Sequence, residues 1–200
     1  MNRGLLLLLT VLLLWAWRDW SHRDIQHPAG ALVTELPRQT TLKSPVALQV
    51  EGFELTPRAG FELRARVLST ENYFWGAEAD LSPIDLALGW GPMSNQAVLD
   101  RIDITQGNRW YFTRYELPAP LSDQQIIRNS SNMHIIPAEP WIKSELRELR
   151  RGDVVNLKGL LVDAGNAAGF TWRSSLSRED TGSGSCELFF VQSLVREARP

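Results

Sequence analysis

Apolar and polar side chains alternate most cleanly early in the main body of the chain. In VALQVEGFEL, Val46, Leu48 and Val50 fall on one face and Ala47, Gln49 and Glu51 on the other. In FELRARVL, Phe61, Leu63, Ala65 and Val67 oppose Glu62, Arg64 and Arg66. Such alternation marks a strand buried on one face, because successive Cβ atoms of extended backbone point to opposite sides. TPRAG between the two runs carries turn residues, which predicts a hairpin. Ile84, Leu86 and Leu88 predict a short strand leading to the glycine-flanked Trp90. Ser94 or Asn95 caps a short helix holding Val98, Leu99 and Ile102. IDITQGNRWYFTRYEL reads as a hairpin turning at Gly107 and Asn108.

Two further helices follow from capping chemistry. Ser122 with Gln125 three residues on makes a capping box, with Leu121 and Ile126 at the staple positions. The helix runs from about 123 to 129 and leaves through Asn129, a residue that tolerates the left-handed conformation. This accounts for much of the polar run Asn129, Ser130, Ser131, Asn132, and MHIIPA then extends as far as Pro137. Pro140 opens the second helix, with Ile142, Leu146 and Leu149 as its apolar stripe and Gly152 as its stop. Arg147, Arg150 and Arg151 complement its C-terminal dipole. DVVNLKGLLVDAG is a strand in which Gly159 permits a bend or bulge. FTWRSS and CELFFVQSLV close the domain across the polar loop REDTGSGS. These elements predict an all-β or α+β fold with two short helices. Its sheet is antiparallel or forms a small, partly open barrel, OB-like or SH3-like.

The N-terminus breaks both periods. Residues 5–17 are apolar but for Thr10 after a basic Arg3, and no small-residue cleavage pattern follows. A helix of that length rises only ~20 Å against a hydrocarbon core of ~30 Å. Trp15, Trp17 and Trp20 suit the interface, so the run predicts an uncleaved signal-anchor, a transmembrane helix over 1–20 that touches the lipid bilayer through 5–17. Residues 21–45 read as a linker with spread prolines, in which His22 and His27 are solvated. Residues 46–195 form a single β-rich domain, expected outside the cytoplasm.

Composition narrows the functional classes. The net charge of -2 gives no general attraction to nucleic acid, so no nucleic-acid partner is expected. One cysteine, Cys186, rules out an intrachain disulfide. No cofactor or metal motif is present: the glycine-rich DTGSGS lacks a P-loop lysine, and the acidic residues show no metal-loop spacing.

Three candidate chemistries remain. His134 with Cys186, or with a nearby serine such as Ser131, has the residue types of a nucleophile and its base, although no G-x-S-x-G elbow is present. Asn129, Asn132, His134, Arg173, Ser174, Ser175, Arg178, Asp180 and Glu187 make the densest polar constellation. Within it Asn132, His134, Arg173, Ser175 and Arg178 are the candidate ligand surface, since an arginine holds an oxyanion by paired hydrogen bonds. The aromatic stretch 72–92, Trp90 included, is a candidate partner surface.

SPIDLALGWGPMS, NSSNMHIIPA and WRSSLSREDTGSGSCELFFV resemble segments of an uncharacterised family of bacterial membrane-associated proteins. The resemblance covers about residues 60–192 and implies a bacterial source and no particular activity. The expectation is therefore a single-pass inner-membrane protein with a periplasmic binding or assembly module and a protein partner near the membrane. The alternative is a membrane-tethered hydrolase using His134 with Cys186 or Ser131.

Overall fold

In the computed structural model, residues 3–21, 23–177, 182 and 185–199 are described. The helices are α1 (Arg3–Ser21), α2 (Ala77–Leu81), α3 (Gln96–Leu99), α4 (Asp123–Asn129) and α5 (Pro140–Arg147). The strands are β1 (Arg38–Thr40), β2 (Leu48–Val50), β3 (Phe53–Asn72), β4 (Ile84–Gly89), β5 (Asp103–Gly107), β6 (Trp110–Arg114), β7 (Ser130–Pro137), β8 (Val154–Gly165), β9 (Thr171–Trp172) and β10 (Glu187–Arg196). A single 3-10 turn, Gly91–Ser94, links β4 to α3. The fold is mostly β-sheet with a few short helices.

The main sheet is mixed, which corrects the antiparallel expectation. β3 pairs with β4, β4 with β7, β10 with β8, and β8 back with β3, all antiparallel. The β7–β10 pairing is parallel. Pairing thus runs through five strands and returns to β3. The parallel step follows from α5, which carries the chain across before β8 and lets β10 enter beside β7 in the same direction. The enclosed face holds the main core, with Phe61, Leu86, Met133, Ile135, Phe189 and Val191 among its members.

The sequence placed a turn at TPRAG, whereas β3 runs straight through it. Pro57 has no N–H for the ladder, and a register shift between Pro57 and Ala59 absorbs it as a bulge. The hairpin closes earlier, through Glu51 and Gly52 at positive φ, so Val46 lies outside β2 and is exposed. Gly159 does what its position predicted. A side-chain carbon there would collide with the Phe190 carbonyl, and the β10 bulge between Val191 and Ser193 faces it. β9 pairs with β8, not with β10.

β5 and β6 form a separate two-stranded ribbon. It turns at Asn108 and Arg109, both at positive φ, one residue later than expected. Ile104 on its inner side packs with Leu68, Ala87 and Ile126 against the outside of the main sheet. α4 begins with the expected capping box at Ser122 and Gln125. Asn129 is not left-handed. Its Nδ2 donates to the Gln125 carbonyl, and Ser130 is already extended, so Ser130, Ser131 and Asn132 belong to β7.

Residues 25–40 are not the solvated tether that the prolines predicted. Ile25 donates its N–H to the Arg151 carbonyl, Val33 is fully buried, and β1 pairs with β3. His27 Nε2 lies 2.8 Å from the Gly152 carbonyl, while His22 lies outside the described residues. The segment has few apolar residues, but Val33 and Ile25 suffice because backbone hydrogen bonds carry the rest. In α1, Leu5 to Leu13 are exposed where described. Among the described residues no helix is long and apolar enough to cross a membrane.

Candidate functional site

Strand alternation decides what His134 can reach. His134 stands directly across from Asp85 on β4 and Leu188 on β10. These side chains share the outer face of the sheet, opposite the main core. Ser131 is three residues away on β7 and therefore projects from the other face. Its hydroxyl donates to Glu187, a carboxylate only 3% exposed. Cys186 shares the His134 face but stands across from Asn132, whose Nδ2 is 3.9 Å from the sulfur. The thiol is half-buried. Ser131 is therefore not set against His134, and Cys186 stands one pairing step along the strand from it, across from Asn132.

His134 belongs instead to a buried clasp around Arg109. Asp85 is fully buried, and its Oδ1 accepts from Arg109 Nη1 at 2.8 Å. His134 Nδ1 is 3.0 Å from the same oxygen without hydrogen-bond alignment. The Arg109 guanidinium also donates to the Ser82 carbonyl and lies 3.6 Å above the Tyr73 ring. Glu78 approaches its Nε at 3.5 Å. Trp172 closes the group, 4.7 Å from the His134 ring and 5.3 Å from the guanidinium. The Arg109 backbone is tied as well: its N–H donates to the Tyr73 hydroxyl and its carbonyl accepts from Asn132 Nδ2. Burial, then the Asp85 charge, pushes the Tyr73 phenol up to about 12.

The clasp is costly as well as tight. Arg109 adopts φ 69, a region that disfavours side chains other than glycine or asparagine. Ser82 Oγ, Asp85 Oδ2, Gln106 Oε1 and His134 Nδ1 are buried without hydrogen-bond partners. Such groups cost about 1–3 kcal/mol each, so the site holds its geometry against a real penalty. What the clasp achieves is placement. It fixes the ribbon turn beside the 73–76 loop.

Exposed aromatics lie next in sequence to the tied residues on both segments. Phe74 and Trp75 follow Tyr73 and are 66% and 92% exposed. Trp110 follows Arg109, and Phe112 shares its outward face on β6, at 38% and 56% exposure. Glu78 and Asp80 on α2 are also exposed. Exposed large aromatics mark candidate partner sites where they share one surface.

The remaining candidates scatter. Trp90 is fully buried, its indole donating to the Arg128 carbonyl, which removes it from any partner surface. Ser175 is buried and donates to the Ser177 carbonyl. Arg173 is exposed beside Trp172 and lines another cavity. Arg178 and Asp180 lie outside the described residues. Ser131, Asn132, Cys186 and Glu187 do line one cavity of about 170 Å³, together with Trp110 and Tyr111 of the ribbon. Tyr111 donates to or accepts from Ser130 Oγ at 2.6 Å, and burial raises its pKa.

Sequence reasoning missed Asp85, Arg109, Tyr73 and Trp172. One signal was available for Asp85: a carboxylate inside the apolar run IDLALG must find a buried cation. Nothing in the sequence named Arg109 as that cation. Among the described residues no cluster of three or more histidine, cysteine or acidic side chains is arranged to hold a metal ion. Comparison with family models, curated proteins and solved structures finds no match.

Proposed function

We propose that this protein is a binding or assembly module, held at a membrane by its N-terminal apolar segment, and not a hydrolase. One observation carries the reading: the buried Arg109 clasp ties Tyr73 to the ribbon turn, next in sequence to exposed Phe74 and Trp75 on one segment and exposed Trp110 on the other. Aromatic side chains on backbone held in this way bind without much ordering cost. Glu78 and Asp80 on α2 favour a protein partner with basic residues around an apolar contact, and disfavour an anionic lipid surface. The five-strand pairing circuit with its one parallel step supports an OB-like reading of the fold. The exposed leucines of α1 and the sequence resemblance support the membrane, bacterial and periplasmic parts of the reading.

Site-specific photo-crosslinking from position 75 in intact cells tests it. The expected product is one discrete protein adduct that weakens when Glu78 and Asp80 are changed to lysine. Adducts to lipid alone, or an adduct indifferent to those charges, overturn the reading. The hydrolase alternative predicts complete loss of function in a normally folded His134→Gln variant. The binding reading predicts retention.

A further inference from the structure

A second buried arginine lies toward the opposite end of the ribbon. Arg66 on β3 is 3% exposed. The sequence had assigned it to the solvent face of its strand. The 94–96 segment and the strap at Ile25 cover it instead. Its guanidinium donates to the Ser94 carbonyl at 3.1 Å, to the Ile25 carbonyl at 3.5 Å and to Gln96 Oε1. All three acceptors are neutral, and Nε has no partner. Among the described residues no carboxylate forms an ion pair with it. A buried charge without a counter-ion is unfavourable by several kcal/mol after relaxation.

Arg66 lines a cavity of about 760 Å³, a size ordinary for small-molecule sites. Arg151 lines it too and works against Arg66. Burial first, then the Arg151 charge, lowers the Arg66 pKa to about 10, against the smaller opposing charges of Asp100 and Asp24. The lining contains four arginines and four acidic residues. Asp100 is engaged by Gln96 Nε2 at 2.7 Å, and Asp24 is 3.8 Å from Arg151 Nε. Asp103 is exposed at the start of β5. Two guanidiniums that repel each other suit an oxyanion, which accepts paired hydrogen bonds and neutralises both. The acidic residues on the same lining suit a donor-rich cation on the same molecule.

We propose that this cavity binds a phosphate ester carrying an amine, with phosphate oxygens on Arg66 and Arg151 and the amine on Asp24 and Asp103. Two sources share that chemistry: a soluble aminoalkyl phosphate and the headgroup of an aminophospholipid. The lipid source rests on the membrane reading of α1, because Asp24 to Gln26 of the lining follow α1 within five residues. The soluble source does not.

The test is calorimetric titration of the full chain in neutral detergent with O-phosphoethanolamine, inorganic phosphate and ethanolamine. Saturable binding of O-phosphoethanolamine is expected, at least about tenfold tighter than either fragment, a gap of about 1.4 kcal/mol. Asp103→Asn changes an exposed side chain and Arg151→Gln a half-buried one, and each should weaken it by about tenfold or more. No binding, binding unchanged in Arg151→Gln, or phosphate binding as tightly as the ester each overturns the proposal. Nanodiscs then separate the sources. Phosphatidylethanolamine that competes with the soluble ester, where phosphatidylcholine does not, identifies the headgroup. No competition identifies a soluble ligand. Crosslinking at position 75 is independent of Arg151, so failure here leaves the partner-surface reading standing.

Discussion

Arg66 and Arg109 are both buried, both near one two-stranded ribbon, and opposite in their company. Arg109 has a fully buried carboxylate, a second acidic neighbour, an aromatic face and a backbone held at two points. Arg66 has three neutral acceptors in contact and, farther off, the charge of another arginine set against those of Asp100 and Asp24. The first arrangement is closed: every part of the guanidinium environment comes from this chain, and the product is a fixed surface. The second is open on its electrostatic side, next to a cavity. A buried cation that the chain itself neutralises is a structural fastener. One with no carboxylate in direct contact, beside a cavity, is where a ligand's charge has most to gain.

That contrast breaks most sharply by mutation. Arg109→Met leaves Asp85 buried and uncompensated, so denaturation followed by tryptophan fluorescence should show a loss of about 3–5 kcal/mol. Arg66→Met removes an uncompensated charge along with its hydrogen bonds, and the two effects oppose. Its loss should be no more than about 1–2 kcal/mol. Equal losses in the two variants would erase the distinction.

Alkaline pH sharpens it. The folded-state Tyr73 pKa is raised to about 12, so the protein holds that proton when the unfolded chain has released it. The Tyr73 contribution is full below pH 10 and falls between pH 10 and 12. The folded-state Arg66 pKa is lowered to about 10 from 12.5, which has the opposite sign. Its cost is relieved as pH rises through that window. The alkaline loss of stability should therefore steepen in Arg66→Met and flatten in Tyr73→Phe, as read from denaturant midpoints at a series of pH values. The same slope in all three proteins would contradict the assignment.

The smallest expected effect is a calibration. Arg64 makes a two-point pair with Glu197, at 2.6 and 2.9 Å, with both side chains about one-third exposed. Pairing with Arg64 lowers the Glu197 pKa. Its contribution is present at neutral pH and is lost as pH falls below the ordinary carboxylate range. Glu197→Gln should cost no more than about 1 kcal/mol at neutral pH. A larger loss would mean that exposure protects less than supposed, and would narrow the gap between the two buried arginines.

What could be read from the sequence was what neighbours along the chain settle. The capping box at Ser122 and Gln125, the Asn95 cap, β4 and the Gly159 bend rest on contacts within a few residues or on simple period, and each is where it was placed. The α5 stripe is buried as expected, but the helix ends at Arg147, so Leu149 and the expected stop at Gly152 lie beyond it. Prolines misled twice. Pro57 sits at a bulge inside β3, and the proline-spaced strap is held by backbone hydrogen bonds that no side-chain pattern announces. Asn132 and His134 were singled out for their chemistry and do share one face, where both contact the Arg109 clasp. Ser131 was excluded by alternation alone once its strand was known to begin at Ser130.

The sequence by itself determined the β-rich class, the local caps and the apolar N-terminal run, because periodicity and capping are short-range. Only the tertiary structure decided that Asp85 meets Arg109, that Trp90 is core while Trp75 is exposed, that Cys186 faces Asn132, and that Arg66 is buried without a carboxylate. Each depends on which strands pair and in what register. A shift of one residue in a strand reverses every side chain on it, and no local pattern carries that choice.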